Sequence, residues 1–356
     1  MKSKIIIAIL ILISCILFFL SGMYMYLTGA TSNNTDPIEV EIPSGATVKE
    51  IGKILKDNNL IHNDTFFYYY VKLFSSNSIK ASVYELNEAM GLAKIVEILE
   101  EGNEYNKNSI TITFKEGINM VKLANAISEN TSITKELFLE KMKDRTFITP
   151  LIEKYWFLTD DILNENIYYP LEGYLFPNTY QFRSKDVEVL EIVEKLLDET
   201  NKVLTTYKDK LDNHDLSVHE VLTLASVVEL EGTTDEFRSG IASVFYNRLN
   251  LNMSLGSDVT TYYALQVDMS ERDLTSIEFN TYNPYNTRGP QMSGKLPIGP
   301  VCNPSKGSIL ATIDQEESDY LYFVADKNRV VYFTKTLREH NAKIKEIKDK
   351  GDWITW

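Results

Sequence analysis

The sequence predicts an α+β fold behind a single membrane-spanning helix, on three observations. Residues 5–27 carry no charge and are long enough to cross a hydrocarbon layer as a helix. Beyond them, short alternating runs such as "IEVEIP" and "SITITF" read as strands, set among stretches with apolar residues at helical spacing. Helices fall before and after pairs of strands, with no regular strand–helix alternation, which argues against a doubly wound parallel sheet.

Composition narrows the function classes. The chain has 356 residues, 44% hydrophobic and 24% charged, which leaves ample apolar material for one or two folded units. A formal net charge of −14 argues against a nucleic-acid or anionic-lipid surface built from clustered Lys and Arg, and points to a neutral or mixed-charge ligand. Cys15 lies in the apolar N-terminus and Cys302 is alone in the remainder, so no disulfide can form within the folded part.

At the N-terminus, Lys2 and Lys4 precede the apolar run and "TGATSNNTD" follows it without a basic residue. The positive-inside rule then predicts a cytoplasmic tail at 1–4, a transmembrane helix at 5–27 and an exterior body. Tyr24 and Tyr26 suit the outer interface. A cleaved signal peptide would have a shorter apolar core, and "SGM" is a poor cleavage site. "LISC" imitates a lipoprotein box, but "ILFFL" continues the membrane run straight after Cys15. Residues 28–37 are small and polar and read as a linker.

A small module is expected at 38–106. "IEVEIP" is its first strand, Ser44–Gly45 a turn, and Thr47 opens a helix carrying Val48, Ile51, Ile54 and Leu55. The second helix, 65–74, is aromatic ("FFYYYVKLF"); Phe67, Val71 and Phe74 have core spacing, and a sugar-stacking platform is the competing reading. "SVYEL" returns as a strand, and "AMGLAKIVEILEEG" is a helix ending at Gly102, giving a β-α-α-β unit with one appended helix. From 107 to 356 a second unit begins with "SITITF", followed by helices at 119–129, 134–144 and 187–206. "YYPLEGYLFPNTYQF" is a loop or edge strand because of Pro170, Gly173 and Pro177. "YLYFVAD" and "RVVYFT" form a hairpin, and Thr336 with Glu339 caps a final helix.

The candidate chemistry lies in "LASVVELEG", residues 224–232. Val218, Leu222 and Ala225 form one helical stripe that Glu229 shares, whereas Glu231, about 200° further round, falls near the solvent side. An apolar face and a helix C-terminus at Gly232 both disfavour the charged form of Glu229, the pattern of a general acid. The other reading is a buried Glu paired with a base, for which Arg248 on the next helix is a candidate. Pattern alone leaves both open. "HEVLT" lacks the second histidine of a zinc motif, no metal site or Gly-rich phosphate loop is apparent, and no cofactor is expected.

The ordered set "YPLEGYLFPNTYQF", "LASVVELEG", "ASVFYNRLNLNMSLGSDVTTYYAL", "NPYNT", "LPIGPVCNP", "YLYFVAD" and "FTKTLREHN" resembles the endolytic murein transglycosylase (YceG-like) family across 38–349. The resemblance implies an inner-membrane helix, a LysM-like module and a catalytic transglycosylase domain. It implies Glu229, the first acid of the family's "ASIVE" helix, as the catalytic residue. Glu172, Asn247, Asp258 and Asn286 are implied to line the glycan groove. The chain departs from the family pattern at Asp258-Val259-Thr260, where Asp-Pro-Thr is common, and at Lys295–Val301.

The expected reaction is lytic cleavage of the MurNAc-β-1,4-GlcNAc bond of nascent peptidoglycan to 1,6-anhydro ends, terminating glycan elongation. One carboxyl acts first as acid and then as base. A muramidase using Glu229 with Asp258, and a non-catalytic wall-binding scaffold, are the alternatives. The expected partners are peptidoglycan strands, the bilayer through 5–27, and by family analogy penicillin-binding proteins and elongation machinery, with no nucleic acid. The expected location is the cell membrane with the catalytic domain outside.

Overall fold

The computed structural model describes residues 2–43, 45–75, 78–102, 109–232 and 234–353. The chain divides into two compact units, Met1–Ser109 and Ile110–Trp356. The boundary expected at 106–107 and Ser44 of the expected turn lie outside the described residues.

The first unit opens with α1 (Lys2–Thr28), of which Leu10–Thr28 is long and apolar enough to cross a membrane. The stretch after it, expected to be a linker, is strapped to its own unit. Thr31 and Ser32 N–H donate to Glu88 O at 3.0 and 3.1 Å, and Ala89 N–H donates to Asn34 O at 3.0 Å. β1 (Ile38–Ile42) turns Val40 and Ile42 inward and pairs antiparallel with β2 (Ser82–Leu86), Val40 facing Tyr84. Between them, α2 (Val48–Asp57) starts on the Thr47/Glu50 capping box, and α3 (Asp64–Phe74) on Asn63, whose side chain accepts the Phe66 N–H. α4 (Leu92–Glu101) stops at Gly102, whose φ of +67° is the left-handed cap that glycine tolerates. Leu55, Phe67, Tyr84, Leu86, Ile95 and Leu99 fill the core. Phe67 and Val71 are buried as their spacing predicts, but Phe74 is 64% exposed, because the last turn of α3 runs past the packed face.

In the second unit β3 (Ile110–Thr113) pairs antiparallel with β4 (Thr179–Phe182), so only the end of the Pro- and Gly-punctuated segment is strand. α5 (Met120–Asn130), α6 (Lys135–Lys141) and α7 (Arg145–Lys154) lie between them in sequence. α7 escapes a sequence reading because Pro150 looks like a breaker; the helix carries it, capped by Asp144, whose carboxylate accepts the Thr146 N–H. α8 (Val189–Thr206) and the short α9 (Lys208–Asp212) lead to α10 (Val218–Glu231) and α11 (Asp235–Asn250). α12 (Asp258–Leu265), α13 (Ser276–Phe279) and α14 (Lys306–Ile313) follow. A hairpin of β5 (Tyr322–Ala325) and β6 (Val331–Thr334) and the Thr336-capped α15 (Leu337–Asp349) complete the unit.

α10 is the axle of this unit. Its Ser217/Glu220 capping box sets the start, and then every residue from Val221 to Glu229 is buried. Val221, Leu222 and Ala225 face a cluster with Leu123, Tyr174 and Leu196, while Leu224, Val227 and Val228 face a second with Ile241, Phe245 and Tyr285. A helix enclosed on all sides has no solvent stripe over this stretch, so rotating 200° away from Glu229 reaches only a partly exposed position. Glu231, expected near solvent, is half-buried.

Leu224, fully buried in α10, tests this centrality. Leu224→Ala is expected to cost roughly 2–5 kcal/mol, read as a lowered denaturation midpoint, whereas truncating the exposed Leu190 leaves the midpoint nearly unchanged.

Candidate active site

Two acids at the end of α10 receive different surroundings. Glu229 Oε1 accepts from Arg238 Nη2 at 2.9 Å. Its Oε2 accepts from the Ser305 N–H at 2.9 Å, the Ser305 hydroxyl at 2.6 Å and the Ser308 hydroxyl at 2.7 Å. Ser305 is the N-cap of α14, so the carboxylate also meets the positive end of that helix. Four donors converge and none of these contacts accepts a proton, which is the setting of a buried ion pair. The partner is Arg238. Arg248, the candidate for that role in the paired-base reading, instead donates from Nε to Leu321 O and from Nη1 to Leu255 O, both at 2.7 Å, and lies over the Tyr322 ring.

Glu231 ends the same helix. Among the described residues, its carboxylate accepts one hydrogen bond, at Oε1, from the Ser257 hydroxyl at 2.6 Å. Burial holds its carboxyl above the usual carboxylate range and the charge of Asp258 adds to that, opposed by the Ser257 bond and the Arg288 and Arg248 charges. Ser257 is the N-cap position of α12 but makes no capping bond with its side chain, because that hydroxyl goes to Glu231. A buried network holds it: Ser257 N–H donates to Thr287 Oγ1 at 3.0 Å, and Thr260 Oγ1 donates to Ser257 O at 2.7 Å. Gly256 makes the approach possible at φ +61°, where a side chain would be strained and its Cβ would lie 3.2 Å from Arg248 Nη1.

The four residues expected along a groove separate in space. Asp258 opens α12 beside Ser257, half-exposed and ion-paired with Arg288, whose guanidinium lies 5.2 Å from the Phe279 ring centre. Asn286 is buried behind it. Its Nδ2 donates to Thr281 O at 2.8 Å and its Oδ1 accepts the Arg288 N–H at 3.1 Å, so it shapes the loop that carries Arg288. Glu172 is 1% exposed and ties elements together: it accepts the Met120 N–H at the start of α5 at 2.9 Å and the Tyr263 hydroxyl at 3.0 Å. Burial pushes its carboxyl up to about 8. Asn247 spans to the loop before β5, donating to Ser318 O at 2.7 Å and Tyr320 O at 3.0 Å. Glu172 and Asn286 are thus internal, without the surface a groove wall requires. Cys302 is buried with its Sγ–H donating to Ser226 O, and burial raises the thiol well above its ordinary value.

Sequence reasoning missed Arg238, Ser257, Arg288, Ser305 and Ser308. Ser257 and Ser305 carried a local signal, as small hydroxyl residues at helix starts, and that reads as ordinary capping.

Comparison with known proteins agrees with the motif order. The chain matches the family described as YceG-like over residues 40–346. It is 37% identical over 340 residues to a Bacillus subtilis protein named endolytic murein transglycosylase, spanning 94% of this chain and 92% of that one. A Streptococcus pneumoniae protein of the same name is 33% identical, matching 88% of this chain but only 59% of its own length. The crystal structure of a yceG-like protein from Listeria monocytogenes superposes with a TM-score of 0.62 at 37% identity, covering 87% of this chain and all of that one.

Removing one partner of the buried pair leaves the other charge stranded. Glu229→Gln is expected to lower unfolding free energy by roughly 3–5 kcal/mol, measured by denaturant titration.

Proposed function

We propose, from the premise that this chain belongs to the YceG-like family, that Glu231 is the acid at which its reaction takes place. The protein is a lytic transglycosylase that cuts the glycan strands of peptidoglycan. A general acid needs a proton, a free oxygen to present it and access to substrate. Glu229, favoured by the motif resemblance, has its oxygens taken by four donors. The observation that carries the reading is the single hydroxyl on Glu231: with Ser257 donating to Oε1, the proton of the neutral carboxyl belongs on Oε2.

In the proposed reaction, Oε2–H protonates the oxygen linking N-acetylmuramic acid to N-acetylglucosamine, and the C1–O bond breaks as positive charge develops at C1. The resulting carboxylate takes the proton from the muramyl C6 hydroxyl, whose oxygen bonds to C1. Glu231 recovers its proton, no water is consumed, and the products are a free 4-hydroxyl and a 1,6-anhydro end. Asp258 is paired with Arg288, and its charge raises the Glu231 carboxyl.

The apolar α1 is read as a membrane anchor, with Lys2 and Lys4 on the cytoplasmic side and the catalytic unit outside. By family resemblance the β-α-α-β module is LysM-like. Confinement to the membrane surface favours newly made strands, with penicillin-binding proteins and elongation machinery as working partners and the end of strand growth as the outcome.

Digestion of purified peptidoglycan, with muropeptides weighed by mass spectrometry, tests the assignment. Glu231→Gln should lose about 100-fold or more of anhydro-ended product while keeping its fold. Glu229→Gln should retain turnover per folded molecule, and the reverse pattern would return the role to Glu229. Hydrated ends from the parent would move the chemistry to a two-carboxylate hydrolase. The pH profile gives a second check. Asp258→Asn removes a charge that raises the Glu231 carboxyl, so the alkaline limb of kcat/KM should move to lower pH.

A further inference from the structure

α3 carries an apolar surface that the chemistry at Glu231 does not use. Tyr69, Leu73 and Phe74 are 56%, 72% and 64% exposed. With the half-buried Phe66 and Tyr70 they occupy positions 66, 69, 70, 73 and 74, a continuous stripe about 140° wide by the helical repeat. The rings are in register, Phe66 to Tyr70 at 6.2 Å and Tyr70 to Phe74 at 5.1 Å. Soluble surfaces seldom leave such a stripe uncovered.

The same unit shows what lies next to it. Tyr24, near the outer end of α1, meets Phe66 edge to face at 6.2 Å, and Tyr26 stacks on His62 at 4.1 Å. Polar ties hold this junction: His62 Nε2 is 3.2 Å from Ala30 O, and Thr31 Oγ1 donates to Asn59 O at 2.5 Å. About 20 helical residues cross the hydrocarbon layer, so a span that starts at Ile5 ends near Tyr24. Phe66 contacts the helix at that depth, and the stripe continues from it.

We propose that this face of α3 rests in the outer interfacial layer of the bilayer, so that the module docks on the lipid surface beside its own anchor. The partner is the headgroup–acyl boundary, the zone where aromatic rings with an apolar body and a polar tip partition. Aromatic burial carries the contact, which agrees with a chain of net charge −14. The consequence is orientational: a helix and a flanking stripe fix the module on the membrane where a helix alone would let it swivel. This inference rests on reading α1 as a membrane anchor.

The test uses the full chain in nanodiscs of phosphatidylethanolamine and phosphatidylglycerol with acyl chains brominated near the glycerol end. Single tryptophan reporters are added as Phe74→Trp, Met25→Trp on α1 and Lys53→Trp on the exposed side of α2, each read as the difference from the parent. Phe74→Trp and Met25→Trp should each lose roughly half of the added emission, while Lys53→Trp keeps it. Quenching of Met25→Trp without Phe74→Trp would overturn the docking and leave the anchor standing. Quenching of neither would remove the anchor and the docking together. An unquenched Phe74→Trp whose emission shifts on adding soluble glycan strands would overturn the proposal in favour of a sugar platform.

Discussion

The buried contact between Glu229 and its four donors is the constraint on which the second unit depends. It joins the end of α10 to Arg238 on α11 and to Ser305 and Ser308 at the start of α14. Taking both charges out of water costs several kcal/mol each, recovered only when geometry and extra hydrogen bonds are good. Here the serine hydroxyls and the α14 N-terminus supply them. The pair also dictates a glycine: a Cβ on Gly232 would lie 2.8 Å from Arg238 Cγ and 2.9 Å from Val228 O. The helix ends at Glu231, with Gly232 already in extended backbone at φ −77° and ψ 117°.

Two carboxyls two residues apart thus sit in different surroundings. Glu229 faces donors and closes the fold. Glu231 faces burial, one hydroxyl and a neighbouring acid, and burial and that acid raise its carboxyl above the usual range. Environment separates chemically identical groups, and the separation is produced by which segments pack against each side of α10. Asn286 and Thr287 act at one remove: the first holds the Arg288 loop, the second holds Ser257.

The first unit follows a different logic. Its core is small, and its edges are spent on attachment: residues 31–34 bond along Glu88 and Ala89, and the end of α1 stacks on His62 and meets Phe66 of α3 edge to face. A stretch that composition marks as a free linker is an ordered strap because its small polar residues have backbone groups within reach of unpaired ones on the module.

Local physics determined a good deal from the sequence alone. The apolar N-terminal helix, the β-α-α-β order, the Thr47 and Thr336 caps and the final hairpin all follow from periodicity and capping chemistry, which act over a few residues. The ordered motifs carried the family and hence the reaction class. What only the tertiary structure decided is which acid is held by donors and which is not. Helical spacing reports where Glu229 and Glu231 point but not what waits there, and Arg238, Ser257, Ser305 and Ser308 come from segments up to 79 residues away. Period reasoning assumes that one side of a helix is solvent. α10 has neighbours on every side, so that assumption fails at the residues that matter most.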